Sequence, residues 1–171
     1  VGEVRGQEAF VLFQGAAAGH PSFSTMHANS VETMIRRLET PPIELSPSLV
    51  NSLDVVCVMA QAKIYGQEVR RVREIVEIID IKEGVGNVEY NVPFKWNPTD
   101  DKFYFSKKSH AFKKIHLYHG VQLEKLHKEF EIRTKLLIKL FENKIVSFDD
   151  VQRVIISYYK DPVRTKKLYN L

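Results

Sequence analysis

Gly19-His20-Pro21-Ser22-Phe23-Ser24-Thr25-Met26-His27-Ala28 is the stretch whose reading decides the fold class. Residues 22–27 are short, hold aromatic and β-branched side chains and lie between breakers, which predicts a strand. Working back, residues 7–18 are free of Gly and Pro except Gly15, are rich in Ala and offer Phe10, Leu12 and Phe13 for burial. They predict a helix packed closely through Ala16-Ala17-Ala18 and ended by Gly19 and Pro21. Working forward, Asn29 is read as the cap of a helix to Glu39, with Glu32 completing a capping-box-like pair. Thr40 precedes Pro41-Pro42, where helical backbone is disfavoured, and Ser46-Pro47 predicts a short helix to about Leu53. Residues 54–60 read as a strand buried on both faces. Helix, strand, helix, helix, strand is the rhythm of a mainly parallel sheet covered by helices, an α/β fold.

The rhythm then changes. Residues 69–81 are rich in Val and Ile, Gly84-Val85-Gly86-Asn87 supplies turn residues, and Val88, Tyr90, Val92, Phe94 and Trp96 alternate with more polar neighbours. An antiparallel hairpin is the economical reading, with Pro93 at an edge or a bulge because it has no N–H for the ladder. Residues 102–106 add a short third strand. Helices follow over residues 109–118 and 122–143, and a third starts at Ser147 and stops near Asp161-Pro162. The expected organisation is an α/β segment over residues 1–65, a β-hairpin region over 66–106 and a basic helical bundle over 107–171.

The 171 residues are 44% hydrophobic and 27% charged, an ordinary composition for a folded domain with a real core. No apolar run approaches the roughly 18 residues that span a bilayer, and no export signal is present at the start. The single cysteine, Cys57, excludes an internal disulfide and reads as a small buried hydrophobe, so a cytoplasmic setting is expected. The first residue, Val1, reads as the tail of a strand and the chain as a fragment. Charge is unevenly spread: nine Lys/Arg face fourteen Asp/Glu in residues 1–101, against sixteen and seven in residues 102–171. The basic part suits an acidic protein surface, anionic lipid or nucleic acid, although the aromatics sit at core positions and no nucleic-acid reader motif is present, so nucleic acid is not an expected partner.

In an open α/β sheet, ligands bind beyond the carboxyl ends of the strands. Glu3 follows the end of one such strand and His27 ends the next, and a carboxylate beside an imidazole suits water activation and phosphate sensing. His20 reads as structural, beside a helix end. His116 and His119 share a helix face but have no Asp, Glu or Cys at a convincing metal-ligand spacing. Arg70, Arg71 and Arg73 are read either as contacts to nucleotide or a neighbouring subunit, or as solvent-facing strand charges.

Gly2-Glu3-Val4-Arg5, followed by Gly19 to Ala28 as quoted above, resembles the Walker B motif and histidine box of the type II/IV secretion ATPase superfamily. Arg36-Arg37-Leu38, Arg70 to Ile75, Tyr90-Asn91, Phe94 to Pro98 and Tyr158 to Pro162 resemble its archaeal branch, which includes archaellum, pilus and secretion motors. The resemblance covers nearly the whole chain. It implies the C-terminal part of a RecA-like P-loop domain in a homo-hexameric ring that hydrolyses ATP with Mg²⁺ to drive secretion or assembly. The implied setting is the inner face of the cell membrane, against a membrane platform protein and anionic lipid. By the same resemblance Glu3 is the catalytic glutamate that polarises water and reaches Mg²⁺ through it, and His27 approaches the γ-phosphate. Arg5 contacts nucleotide or forms a structural ion pair, and Thr25 adds a neighbouring hydroxyl to the nucleotide site.

No G-x-x-x-x-G-K-[ST] occurs in the 171 residues, and the acidic segment that lies between the two Walker motifs in that superfamily is absent too. The chain alone is therefore expected not to turn over ATP. A non-catalytic interaction module related to these ATPases is the alternative.

Overall fold

Tyr65 and Gly66, both at positive φ (48° and 82°), reverse the chain within two residues, and so β1 (Val55–Ile64) and β2 (Gln67–Ile81) can only pair antiparallel. Gly carries the second of these conformations without steric cost. The computed structural model describes residues 2–171; the reading of Val1 as the tail of a strand lies outside the described residues. The other elements are α1 (Glu8–Ala17), α2 (Val31–Glu39), α3 (Pro47–Val50), β3 (Val88–Asn97), β4 (Lys102–Phe105), α4 (His110–His119), α5 (Leu123–Glu142), α6 (Phe148–Lys160) and α7 (Pro162–Leu168). Two compact units result, residues 1–111 and residues 112–171.

The first unit is mixed α/β. Its four strands lie in the order β1-β2-β3-β4, each antiparallel to the next. This corrects the expected parallel sheet. Parallel pairing among the described residues is confined to an isolated bridge between Glu3 and Thr25, and residues 22–27 form no longer strand. β1 is an edge strand, so it alternates between faces instead of being buried on both: Val58 is in the core while Cys57 is exposed, against the expectation for both the run and the cysteine. β3 lies inside the sheet. Pro93 sits where the β2–β3 register shifts between Ile75 and Glu77, and its carbonyl accepts the Ser106 N–H at 2.9 Å, so the bulge alternative holds.

Helices cover this sheet through short apolar stripes. α2 buries Val31, Ile35 and Leu38, one turn apart in sequence, and leaves Arg36 and Arg37 outside. Burying a side chain such as Ile35 contributes about 2–3 kcal/mol. α2 is capped by Ser30, whose Oγ accepts the Thr33 N–H at 3.2 Å, and not by Asn29. Glu32 instead accepts the Tyr90 hydroxyl of β3 at 2.6 Å, and Glu39 accepts the Gly86 N–H of the β2–β3 turn at 2.6 Å. α1 packs through Ala9 and Phe13; Ala17 and Ala18 are exposed, so the close packing expected of the alanine run is not found.

Two carboxylates fasten the sheet. Glu77 of β2, only 4% exposed, accepts Ser109 Oγ at 2.5 Å, the His110 N–H at 2.6 Å and Asn91 Nδ2 at 2.8 Å, which caps the start of α4. Asp101, in the β3–β4 turn, accepts Arg71 Nε and Nη2, each at 2.8 Å, and the indole N–H of buried Trp96 at 2.8 Å. Arg71 is thus a structural residue within this unit.

The second unit is helical. α5 buries Leu136 and Leu140, and α6 buries Tyr158, whose hydroxyl donates to Glu129 at 2.9 Å. α6 stops at Lys160, just before Asp161-Pro162 as the sequence suggested, and Pro162 then opens a further helix, α7, that the sequence did not announce, with Asp161 accepting the Arg164 N–H at 2.9 Å. His116 Nδ1 meets the Val121 carbonyl at 2.9 Å. Among the described residues no helix is long and apolar enough to cross a membrane.

Replacing Glu77 by Ala leaves buried donors unpaired and is expected to lower unfolding stability by about 3 kcal/mol, measured by urea denaturation; a loss below about 1 kcal/mol contradicts the capping role. The Asp101 carboxyl is pushed down to about 2, first by Arg71 and then by Trp96, from 3.8 in an unstructured chain. Because the folded value is the lower one, its contribution is complete above pH 4 and is lost as pH falls towards 2. The thermal midpoint, followed by Trp96 fluorescence, is expected to fall over that window, and Asp101→Asn to flatten the fall; an unchanged slope overturns the assignment.

Candidate functional site

Glu3-Val4-Arg5 and Thr25-Met26-His27 share one pattern, polar, apolar, polar, and two extended segments paired in parallel sort such a pattern by face. The pairing is direct: the Val4 N–H donates to the Thr25 carbonyl at 2.8 Å, and the Thr25 N–H donates to the Gly2 carbonyl at 3.2 Å. Val4 is buried in the core and Met26 packs against it. Glu3, Arg5, Thr25 and His27 consequently stand together on the opposite, accessible side. The Thr25 hydroxyl also donates to the Gly2 carbonyl, at 2.7 Å, which ties the two segments from the side-chain direction.

Glu3 is the centre of the group. Its Oε2 accepts Arg5 Nη2 at 2.6 Å and its Oε1 lies 3.3 Å from His27 Nε2. The Glu3 side chain is 27% exposed, against 74% for Arg5 and 86% for His27, so the carboxylate is recessed beneath two reachable nitrogen donors. The Arg5 hydrogen bond holds the Glu3 carboxyl below the usual glutamate range; partial desolvation opposes this, and the charges of Arg5, His27 and Arg37 reinforce it. Glu3 raises the Arg5 guanidinium in turn.

The four residues named from the sequence therefore meet, with Arg5 in an ion pair to Glu3 and the Thr25 hydroxyl engaged in the bridge. Two surrounding arginines act on the segment that carries His27. Arg37 of α2 donates through Nη1 to the His27 carbonyl, and Arg73 of β2, paired with Glu74 at 2.7 Å, places both Nη atoms 3.4 Å from the Asn29 carbonyl. Glu8, at the start of α1, accepts the N–H groups of Arg5 at 2.7 Å and Gly6 at 2.9 Å. The sequence reading passed over Glu8, quoted Arg37 without a role, and left Arg73 between a nucleotide or subunit contact and a solvent-facing strand charge. Only Glu8 had a readable signal, an acidic residue at a helix start just after the motif. His20 is structural as expected, with Nδ1 3.2 Å from the Gly15 carbonyl at the end of α1. Among the described residues no three His, Cys, Asp or Glu side chains converge as a metal site.

Comparison with known proteins places this group inside a recognised segment. Residues 1–83 match the family model described as type II/IV secretion system protein, which supports that superfamily for this part of the chain. The match ends two residues beyond β2. Similar proteins include three from Methanocaldococcus jannaschii. The uncharacterized protein MJ1287 is 34% identical over 158 residues, 92% of this chain and 58% of that protein. The uncharacterized protein MJ0900 is 30% identical over 164 residues, 94% of this chain and 30% of that protein. The uncharacterized protein MJ0781 is 27% identical over 140 residues, 81% of this chain and 19% of that protein. The chain thus spans between about a fifth and three fifths of these relatives' lengths.

Removing the Arg5 guanidinium takes away the largest influence lowering the Glu3 carboxyl. Arg5→Ala is expected to raise the Glu3 titration midpoint toward the ordinary glutamate range, read from carboxyl ¹³C shifts against pH; an unmoved midpoint contradicts the pairing.

Proposed function

We propose that this chain supplies part of an ATP-hydrolysing motor of the type II/IV secretion superfamily, in its archaeal branch, with Glu3 as the catalytic carboxylate. The observation that carries the reading is the 3.3 Å approach of His27 Nε2 to Glu3 Oε1 within a segment matched by the family model. Residues 1–65 are read as the C-terminal portion of a RecA-like core, residues 66–106 as its hairpin region and residues 107–171 as a basic helical bundle.

The donor set fits one side of a Mg²⁺–nucleotide site. An ionised carboxylate, kept so by Arg5, can accept a hydrogen from water held above Oε1 and orient its lone pair. His27, largely exposed, can turn its imidazole toward a phosphate oxygen without leaving the bridge that places it. Arg5 uses Nη2 on Glu3 and has further N–H donors for an anionic ligand. Glu3 is the carboxylate of this group that would help hold a nucleotide-bound Mg²⁺, which would supply neutralisation of phosphate charge. The phosphate-cradling loop is not encoded in these 171 residues, so the chain alone is expected to be inactive.

The proposed assembly is a homo-hexameric ring, cytoplasmic and peripheral at the inner membrane face, where the basic residues 107–171 would face a platform protein or anionic lipid. Secretion, pilus assembly and archaellum assembly are the candidate tasks.

In the native gene product, Glu3→Gln is expected to reduce kcat for ATP by about 100-fold or more while nucleotide affinity changes less than about threefold. Undiminished turnover removes Glu3 from the chemistry. Native protein with no ATP turnover at all favours the non-catalytic interaction module instead.

A further inference from the structure

The chain leaves the Glu3–Thr25 bridge at Val4 and enters α1 at Glu8, so three residues carry Arg5 from strand-like pairing into a helix. Two consecutive N–H groups, those of Arg5 and Gly6, are turned away from any ladder by this change of direction. Both converge on one oxygen, Glu8 Oε1, at 2.7 and 2.9 Å. Charge-assisted bonds of this length constrain the peptide planes they hold. A second observation comes from the other carboxylate oxygen: a Cβ added at Gly6 would lie 3.3 Å from Glu8 Oε2, so a residue without a side chain lets the carboxylate close onto the backbone. The Glu8 carboxyl is held below its ordinary range, first by the Arg5 N–H, which keeps it ionised as an acceptor.

We propose that Glu8 is a positioning residue for the Glu3–Arg5 pair. Fixing the peptide of Arg5 fixes the root of its side chain, whose Nη2 then lies 2.6 Å from Glu3 Oε2. That contact occupies one oxygen of Glu3 and leaves Oε1 toward His27. The chain of contacts runs Glu8, Arg5, Glu3, His27, and Glu8 itself stands outside the groups that meet the reactants. It rests on the catalytic reading of Glu3 given above. A shift of the order of 1 Å in such a group costs up to roughly 100-fold in rate.

Because Oε1 alone accepts both N–H groups, Glu8→Gln retains the acceptor and Glu8→Ala deletes it. In the native gene product, Glu8→Ala is expected to lower kcat for ATP about tenfold with KM changed less than about twofold, and Glu8→Gln to recover most of the loss. In the 171-residue chain, amide hydrogen exchange at Arg5 and Gly6, measured by NMR, should accelerate in Glu8→Ala and stay slow in Glu8→Gln. A Glu8→Ala protein with undisturbed Arg5 and Gly6 exchange overturns the proposal whatever its activity. So does loss of activity that only parallels a fall in melting temperature and that Gln fails to restore. If exchange responds as expected while Glu3→Gln leaves turnover intact, the contact chain stands and the catalytic reading of Glu3 fails.

Discussion

Two backbone hydrogen bonds, Val4 N–H to the Thr25 carbonyl and Thr25 N–H to the Gly2 carbonyl, set everything else about the candidate site. They are one bridge long and cannot hold two segments together in water unaided. What holds them is the burial of Val4 and the packing of Met26, on the side away from Glu3 and His27. Side-chain direction alternates along extended backbone, so the hydrophobic core chooses the register and the register chooses which polar groups meet. A slip of one residue would turn Glu3 inward and bring Val4 to the surface. Core packing and site chemistry are in this sense one constraint read from its two faces.

Further out, the site is connected to the sheet by polar contacts through α2 and β2. Arg37 on α2 and Arg73 on β2 reach the carbonyls of His27 and Asn29, while Glu32 and Glu39 anchor the same helix to Tyr90 and Gly86. Individually such partly exposed contacts contribute little to stability. Together they fix α2, whose buried Val31, Ile35 and Leu38 supply the apolar part of the same junction. The family match, ending at residue 83, takes in the bridge, α1 to α3 and the β1–β2 pair, and leaves out β3, which completes the junction through Tyr90.

Much of the site was legible because its signals are local. The alternation in Glu3-Val4-Arg5 and Thr25-Met26-His27 needs no knowledge of the rest of the chain to suggest a shared polar face. Sheet direction was not legible in the same way. Residues 54–60 look like a buried parallel strand by composition, and the deciding feature is a single Tyr65-Gly66 reversal that the apolar pattern does not announce. Glu77 is similarly opaque, a glutamate in a strand whose burial is explained by Asn91 on the next strand and by Ser109 and His110 more than thirty positions on. The stop of α6 at Asp161-Pro162 was legible but the start of α7 at the same proline was not, because proline suits both sides of a helix boundary and only the Asp161 cap marks the second.

The central claim is that Glu3 and His27 act as one unit on the same reactants, and a double-mutant cycle tests it most directly. Turnover of ATP by the native gene product would be compared for Glu3→Gln, His27→Ala and the pair together. If the 3.3 Å contact reflects shared work, the double variant should be within about threefold of Glu3→Gln alone. Losses that multiply independently would contradict it.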